Sequence, residues 1–296
     1  MPFHGVLPHR QHLFQPEPLH DIGVNDTHAW RLNPEHRHVY DKLQLALAQG
    51  LQAAPCDVDP LSLGIDAATP LFVKPITNLL GMSLDAQATT AGDLASGRTQ
   101  CAPGCFWGEY LVGDHTSTDC LILAGKVLWF AHTQGAAEKD KQRPIYWHIG
   151  VRLPALEPLL RDLIQAQLPG YTGLCNVEMI GGKVIEMHLR GSNGFFDFYG
   201  AHFVPAWVEL VDKRVWHGLE SVREGYVYSL FGEGELPADY TDIAAVHGVK
   251  VVPDTATRDR IAILYADTLD AAQQVAMRLR GIIRCFPNPS VTNHDT

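Results

Sequence analysis

Between Asn176 and Arg190 the chain gathers two carboxylates, an imidazole and a guanidinium around a Gly-Gly pair: Glu178, Glu186, His188 and Arg190, with Gly181-Gly182 between the glutamates. Strand side chains alternate faces, so Glu186, His188 and Arg190 should project from one side and Ile185, Met187 and Leu189 from the other. Two carboxylates on one face can bridge a hard divalent cation, and an arginine beside them suits phosphate oxygens. The same residues could also form a solvated hairpin face whose charges merely pair. Register decides between the two. A plain two-residue turn at Gly181-Gly182 would pair Glu178 with Ile185 and send the two glutamates to opposite faces. A three-residue connection from Gly181 to Lys183, or an equivalent bulge, pairs Glu178 with Glu186. The expectation is the second, with both carboxylates on one face.

Two lysines and an apolar slot complete the set. Lys74 ends the apolar run Pro70-Leu71-Phe72-Val73, and a Ser/Thr/Gly-containing stretch follows it. An ammonium placed there can lie on a phosphate while loop N–H groups cover others; as a bland alternative, a strand-end lysine snorkels to water. Lys42 sits beside a helical apolar stripe and is unremarkable alone. Residues 76–90 are expected to form a mobile flap. The strand-like run through Trp107, Glu109 and Leu111 towards His115 could line a slot for a flat base. The common phosphate loops are missing: Gly92 to Thr99 imitates one but carries Arg98 where lysine belongs, and no apolar strand precedes it.

The elements that must position these groups read as a mixture. Asn33-Pro34 should open a helix running to Gln49, with Val39, Leu43 and Leu47 as its apolar stripe and Gly50 as its stop. Strands are expected over 105–112, 117–123, 127–131 and on both sides of Gly181-Gly182. Helices are expected over 156–167 and 270–280, with a buried strand at 260–265. Antiparallel pairs mixed with helices argue an α+β fold. Residues 1–32, rich in Pro and His, read as an extended arm with little structure of its own. The 296 residues hold 46% apolar and 19% charged side chains, enough for a full core. A net charge of −10 without a Lys/Arg cluster argues against a nucleic-acid partner. No run approaches a membrane span. Six scattered cysteines suggest reduced thiols and a cytoplasmic protein.

Taken in order, these pieces resemble the ATP-grasp superfamily. They are a lysine in an early helix, a Val-Lys-Pro strand with a small-residue loop, and Glu109-Tyr110-Leu111 as a hinge. A strand bearing Asp119, the Gly125-Lys126-Val127 turn, Gly170 to Gly173 leading into Val177-Glu178, and Glu186 to Arg190 follow. The resemblance covers about residues 35–200. It implies a nucleotide held between two α+β lobes at 33–204, with a C-terminal α+β extension at 205–296. It also implies ATP as the nucleotide and Mg²⁺ or Mn²⁺ as the metal. Position by position, Lys42 and Lys74 resemble the phosphate lysines, Glu109 and Leu111 the adenine hinge, and His115 the ribose contact. Glu178 and Glu186 resemble the metal carboxylates, Arg190 the arginine near the transferred phosphoryl group. His188 stands where the family usually has Asn as a further ligand. The activity implied is an ADP-forming ligase acting on a small carboxylate and an amine or similar nucleophile. A kinase acting on a hydroxyl and a non-catalytic nucleotide-binding module are the alternatives, and a homo-oligomer stays open.

Overall fold

Residues 2–80, 86–254, 257 and 259–283 are described by the computed structural model. Sixteen strands run in chain order among them: β1 (Phe3–His4), β2 (Ile22–Gly23), β3 (Ala53–Pro55), β4 (Pro70–Pro75), β5 (Gln87–Thr90), β6 (Cys105–Glu109), β7 (His115–Leu123) and β8 (Lys126–Gly135). These are followed by β9 (Lys139–Asp140), β10 (Arg143–Pro144), β11 (Tyr146–Ile149), β12 (Gly173–Ile180), β13 (Lys183–His188), β14 (Gly225–Phe231), β15 (Lys250–Pro253) and β16 (Arg260–Ala266). Seven α-helices accompany them: α1 (Asp26–Leu32), α2 (Lys42–Ala48), α3 (Ala91–Ala95), α4 (Glu157–Gln167), α5 (Phe203–Lys213), α6 (Tyr240–Ala245) and α7 (Leu269–Ile282). The class is α+β. Contacts divide the chain into one unit of residues 1–144 and 149–223 and a second of 145–148 and 224–296. No helix among the described residues is long and apolar enough to cross a membrane.

Two sheets of the first unit matter for function. The smaller has the order β3-β6-β4-β5, all antiparallel. Period-two alternation sorts its side chains. Leu71, Val73, Cys105 and Trp107 pack with Ala91 and Leu94 of α3, so Phe72, Lys74, Phe106 and Gly108 are left for the opposite face. The larger has the order β13-β12-β7-β8 on this unit's side. There Cys175, Val177 and Met179 of β12 join Val184, Met187 and Leu189 in a core closed by Leu45 of α2 and by Leu160 and Ile164 of α4. Asn176, Glu178 and Ile180 consequently occupy the other face of β12.

The β12–β13 hairpin reaches the expected register by the bulge route. Gly181 and Gly182 have φ of 56° and 77°, the pair of positive values that a two-residue turn of this hand requires. Ile180 pairs with Lys183 and Met179 with Val184; the ladder then slips by one residue, and Glu178 pairs with Glu186 and Asn176 with His188. Ile185 is the extra residue. It leaves the core side expected for it, and Val184 takes that place beside Met187. A Cβ on Gly181 would stand 2.2 Å from the Val112 carbonyl oxygen, whereas one on Gly182 would meet none of the described residues within 4 Å. Gly182→Ala should therefore cost only the positive-φ strain, about 1–2 kcal/mol. Gly181→Ala should cost clearly more, and the urea midpoint measures both; equal costs would mean that the Val112 contact yields freely.

Three expectations are corrected. The stretch 34–49 is not one helix. Pro34–Tyr40 is a 3₁₀ segment, and Asp41 then caps α2 by accepting from Gln44 N at 2.8 Å. Asn33 closes α1 instead, donating to Ala29 O. Its buried stripe is Val39, Lys42, Leu45 and Ala46, while Leu47 is exposed. Residues 1–32 are not a loose arm either. Phe3 and Phe14 are buried against Trp207 and Phe196, and Arg10 pairs with Asp197. The aromatic cluster also packs α5 within the first unit, which runs to residue 223. Within the expected flap, Gln87–Thr90 is strand β5 paired to β4, and residues 81–85 lie outside the described residues.

Candidate nucleotide site

A pocket opens between the two sheets of the first unit. Lys42, Lys74, Glu109, Tyr110, Leu111, His115, Glu178 and Glu186 all line it, with Phe72, Phe106 and Ile185 among the apolar walls. Each functional side chain arrives there for a local reason. Lys74 follows Val73 on β4, so alternation turns it away from the small-sheet core and into the pocket. Lys42 is the first residue of α2, and its N–H donates to Ile76 O at 2.9 Å, tying this helix end to the end of β4. The bulge places Glu186 opposite Glu178.

Charges inside are mutually neutralised. Lys42 Nζ donates to Glu186 Oε1 at 2.8 Å, and Lys74 Nζ donates to Ile185 O at 3.0 Å. Burial pushes the Lys74 ammonium down to about 8, against the pull of Glu186 and with the push of Lys42. Burial alone would raise the Glu186 carboxyl. His188, Lys42 and Lys74 outweigh it and hold that carboxyl well below the usual range. Glu178 is likewise lowered in spite of burial, chiefly by His115, whose Nε2 lies 3.3 Å from Glu178 Oε2. His188 is raised to about 9: burial and Arg190 oppose its protonation, but Asp26 and Glu186 prevail.

His188 and Arg190 follow the same face of the hairpin but are held from behind. Asp26 Oδ1 accepts from His188 Nδ1 at 2.9 Å and from Arg190 Nε at 3.1 Å, and Oδ2 accepts from Arg190 Nη2 at 2.8 Å. Neither His188 nor Arg190 lines the pocket as it stands. Glu109 also has a second engagement, accepting from Gln52 N at 2.6 Å. Among the described residues no group of three or more His, Cys, Asp or Glu is gathered closely enough to hold a metal ion unaided. The donor set fits Mg²⁺ nonetheless, because that ion keeps waters and is usually held by one or two carboxylates together with substrate phosphates.

Comparison with protein-family models gives no match, and neither does comparison with curated protein sequences. Solved structures do match. The L-amino acid ligase of Bacillus licheniformis superposes with a TM-score of 0.59 at 12% identity, over 83% of this chain and 71% of that one. A carboxyaminoimidazole ribonucleotide synthase from Aspergillus clavatus, complexed with ATP, gives 0.58 at 11%, over 82% and 74%. The N5-carboxyaminoimidazole ribonucleotide synthetase of Thermotoga maritima gives 0.56 at 11%, over 90% and 82%. The chain has the ATP-grasp fold. Within this ATP-grasp framework the sequence had indicated Lys42, Lys74, Glu109, Leu111, His115, Glu178 and Glu186, and the structure brings these seven to one pocket. Sequence reasoning missed Lys139 and Gln142, which reach the pocket from the β9–β10 hairpin. It also missed Asp26, whose only local signal is Asn25 before it, a helix cap that accepts from His28 N at 2.9 Å.

Proposed function

We propose that the chain is an ATP-dependent ligase that activates a small carboxylate as an acylphosphate for attack by an amine or similar nucleophile. The observation that carries this is the convergence of two lysines from β4 and α2 with two cross-strand glutamates on one pocket of an ATP-grasp fold. The solved structures it resembles include an amino acid ligase and a synthase complexed with ATP. In this reading Lys42 and Lys74 take the phosphates. Backbone and side chains at Glu109 and Leu111 face the adenine, and His115 meets the ribose while holding Glu178. Glu178 and Glu186 would hold Mg²⁺, with His188 beside Glu186. Bound there, the metal supplies charge neutralisation along the phosphates during transfer.

Phosphoryl transfer needs little covalent help from a protein; it needs charges held in place and water kept out. Lys42 is 6% exposed and Lys74 has its ammonium inside the pocket, so both cations act where the local dielectric is low. Lys42 has to exchange Glu186 for a phosphate oxygen when nucleotide enters, which frees Glu186 for the metal. Arg190 would stabilise negative charge on the transferred group from the end of β13.

The test is ADP release from Mg·ATP across a panel of amino acids and small carboxylic acids, each with and without an amine, followed by mass spectrometry. An amide or other acyl product is expected. A stable phosphate ester on a hydroxyl acceptor would make the protein a kinase instead. Nucleotide binding without turnover on any pool would leave a binding module.

A further inference from the structure

Asp26 lies in the segment that looked unstructured, yet it is 6% exposed and pairs with both His188 and Arg190. It opens α1, where the helix N-terminus favours a negative charge. Its two oxygens accept three hydrogen bonds, one from His188 and a forked pair from Arg190. The contact is braced on both sides. Asn193 Nδ2 donates to Val24 O at 2.6 Å, and Leu189 N donates to the Tyr40 hydroxyl at 3.1 Å.

The consequence runs through the imidazole. With Nδ1 committed to Asp26, the ring is fixed so that Nε2 faces Glu186 Oε2 at 3.2 Å. That nitrogen is buried and, among the described residues, makes no directed hydrogen bond. A carboxylate behind a histidine is the arrangement by which an outer partner sets the orientation of a group at a metal. Arg190, forked onto the same carboxylate, is kept from swinging towards Glu186 and Glu178. Without Asp26, Arg190 would lose the carboxylate it forks onto and His188 would keep Glu186 as its acidic neighbour, so both cations would compete with a metal for the glutamates.

We infer that Asp26 is a positioning residue for the metal face, acting through His188 and Arg190; this rests on the ligase reading of the site. The experiment measures the dissociation constant of ADP for the full chain in EDTA and in saturating Mg²⁺. In Asp26→Asn the ratio of the two constants should fall about tenfold from the wild-type ratio, with binding in EDTA unchanged. Asn193→Ala loosens the same segment without touching the carboxylate. It should lower the melting temperature and leave the ratio intact, which a merely structural role for Asp26 does not predict. A wild-type ratio in Asp26→Asn, or a raised one, overturns the inference. If Asp26→Asn does not fold, Asp26→Glu reads the same ratio: a longer stem displaces the fork, so an unchanged ratio overturns it equally. A wild-type chain whose ADP binding ignores Mg²⁺ overturns the proposed site first and this inference with it.

Discussion

Mg·ATP should raise the melting temperature of the wild-type chain and of Lys126→Ala alike, and should raise that of Lys74→Ala by about half as much or less. Ligand at about 100 times its dissociation constant adds about 2.7 kcal/mol to the folded state. For a chain of this size that amounts to several degrees, at about 2–4 °C per kcal/mol. Lys74 would place an ammonium on phosphate from inside the pocket, and hydrogen bonds to charged groups contribute about 1.5–3 kcal/mol. Losing that weakens binding roughly 10- to 150-fold, so the same ATP concentration would leave between about a half and a tenth of the shift. Lys126 is exposed at the start of β8 and lines no part of the pocket. Each variant is judged against its own nucleotide-free melt, because removing a buried ammonium also changes the empty protein. Equal shifts in Lys74→Ala and Lys126→Ala would take Lys74 out of the site.

Much of this site was legible because its residues obey local rules. The β12–β13 hairpin is written in a Gly-Gly pair between two alternating runs, and the need to keep Met187 and Leu189 in the core forces Glu186 outward. Which residue the bulge would double was not written. Val184 and Ile185 are both apolar, and only the packing of α2 against the hairpin chooses Val184 for the core. Lys42 looked like a surface lysine because helical periodicity was extended through Asp41. The break there rotates α2 so that Lys42 shares the buried stripe with Leu45. Residues 1–32 have no period at all. Their order comes from Trp207 and Phe196, some two hundred positions away, and from the His188–Arg190 pair. A single sequence carries no local trace of such contacts, and Asp26 was therefore invisible until the segment was seen in place.

Raising pH above about 8 should weaken nucleotide binding while relieving a strain on the empty protein, two opposite effects of one lysine. Lys74 sits at about 8 in the folded chain against an ordinary lysine value of 10.5. Between those values the unfolded chain binds more protons than the folded one, so stability gains with rising pH across that window. Below about 8 the cost of burying the ammonium is present in full. Nucleotide behaves oppositely, since only the protonated amine pairs with phosphate. Its dissociation constant should rise towards about tenfold per pH unit once Lys74 is mostly neutral. Glu186, Lys42 and Glu178 face the same ammonium, and His188 near 9 titrates behind Glu186. His188 is a raised group whose stabilisation is lost as pH climbs through 9, which would mask the Lys74 gain in the wild type alone. Lys74→Met separates them, because it keeps every other group and holds a neutral stem at position 74. Near neutral pH this variant should be more stable than wild type and bind ADP weakly. As pH rises towards 10.5 the stability difference should close, and the affinity difference should close with it. A wild-type affinity that falls no faster with pH than that of Lys74→Met would mean that Lys74 does not carry its charge to the phosphates.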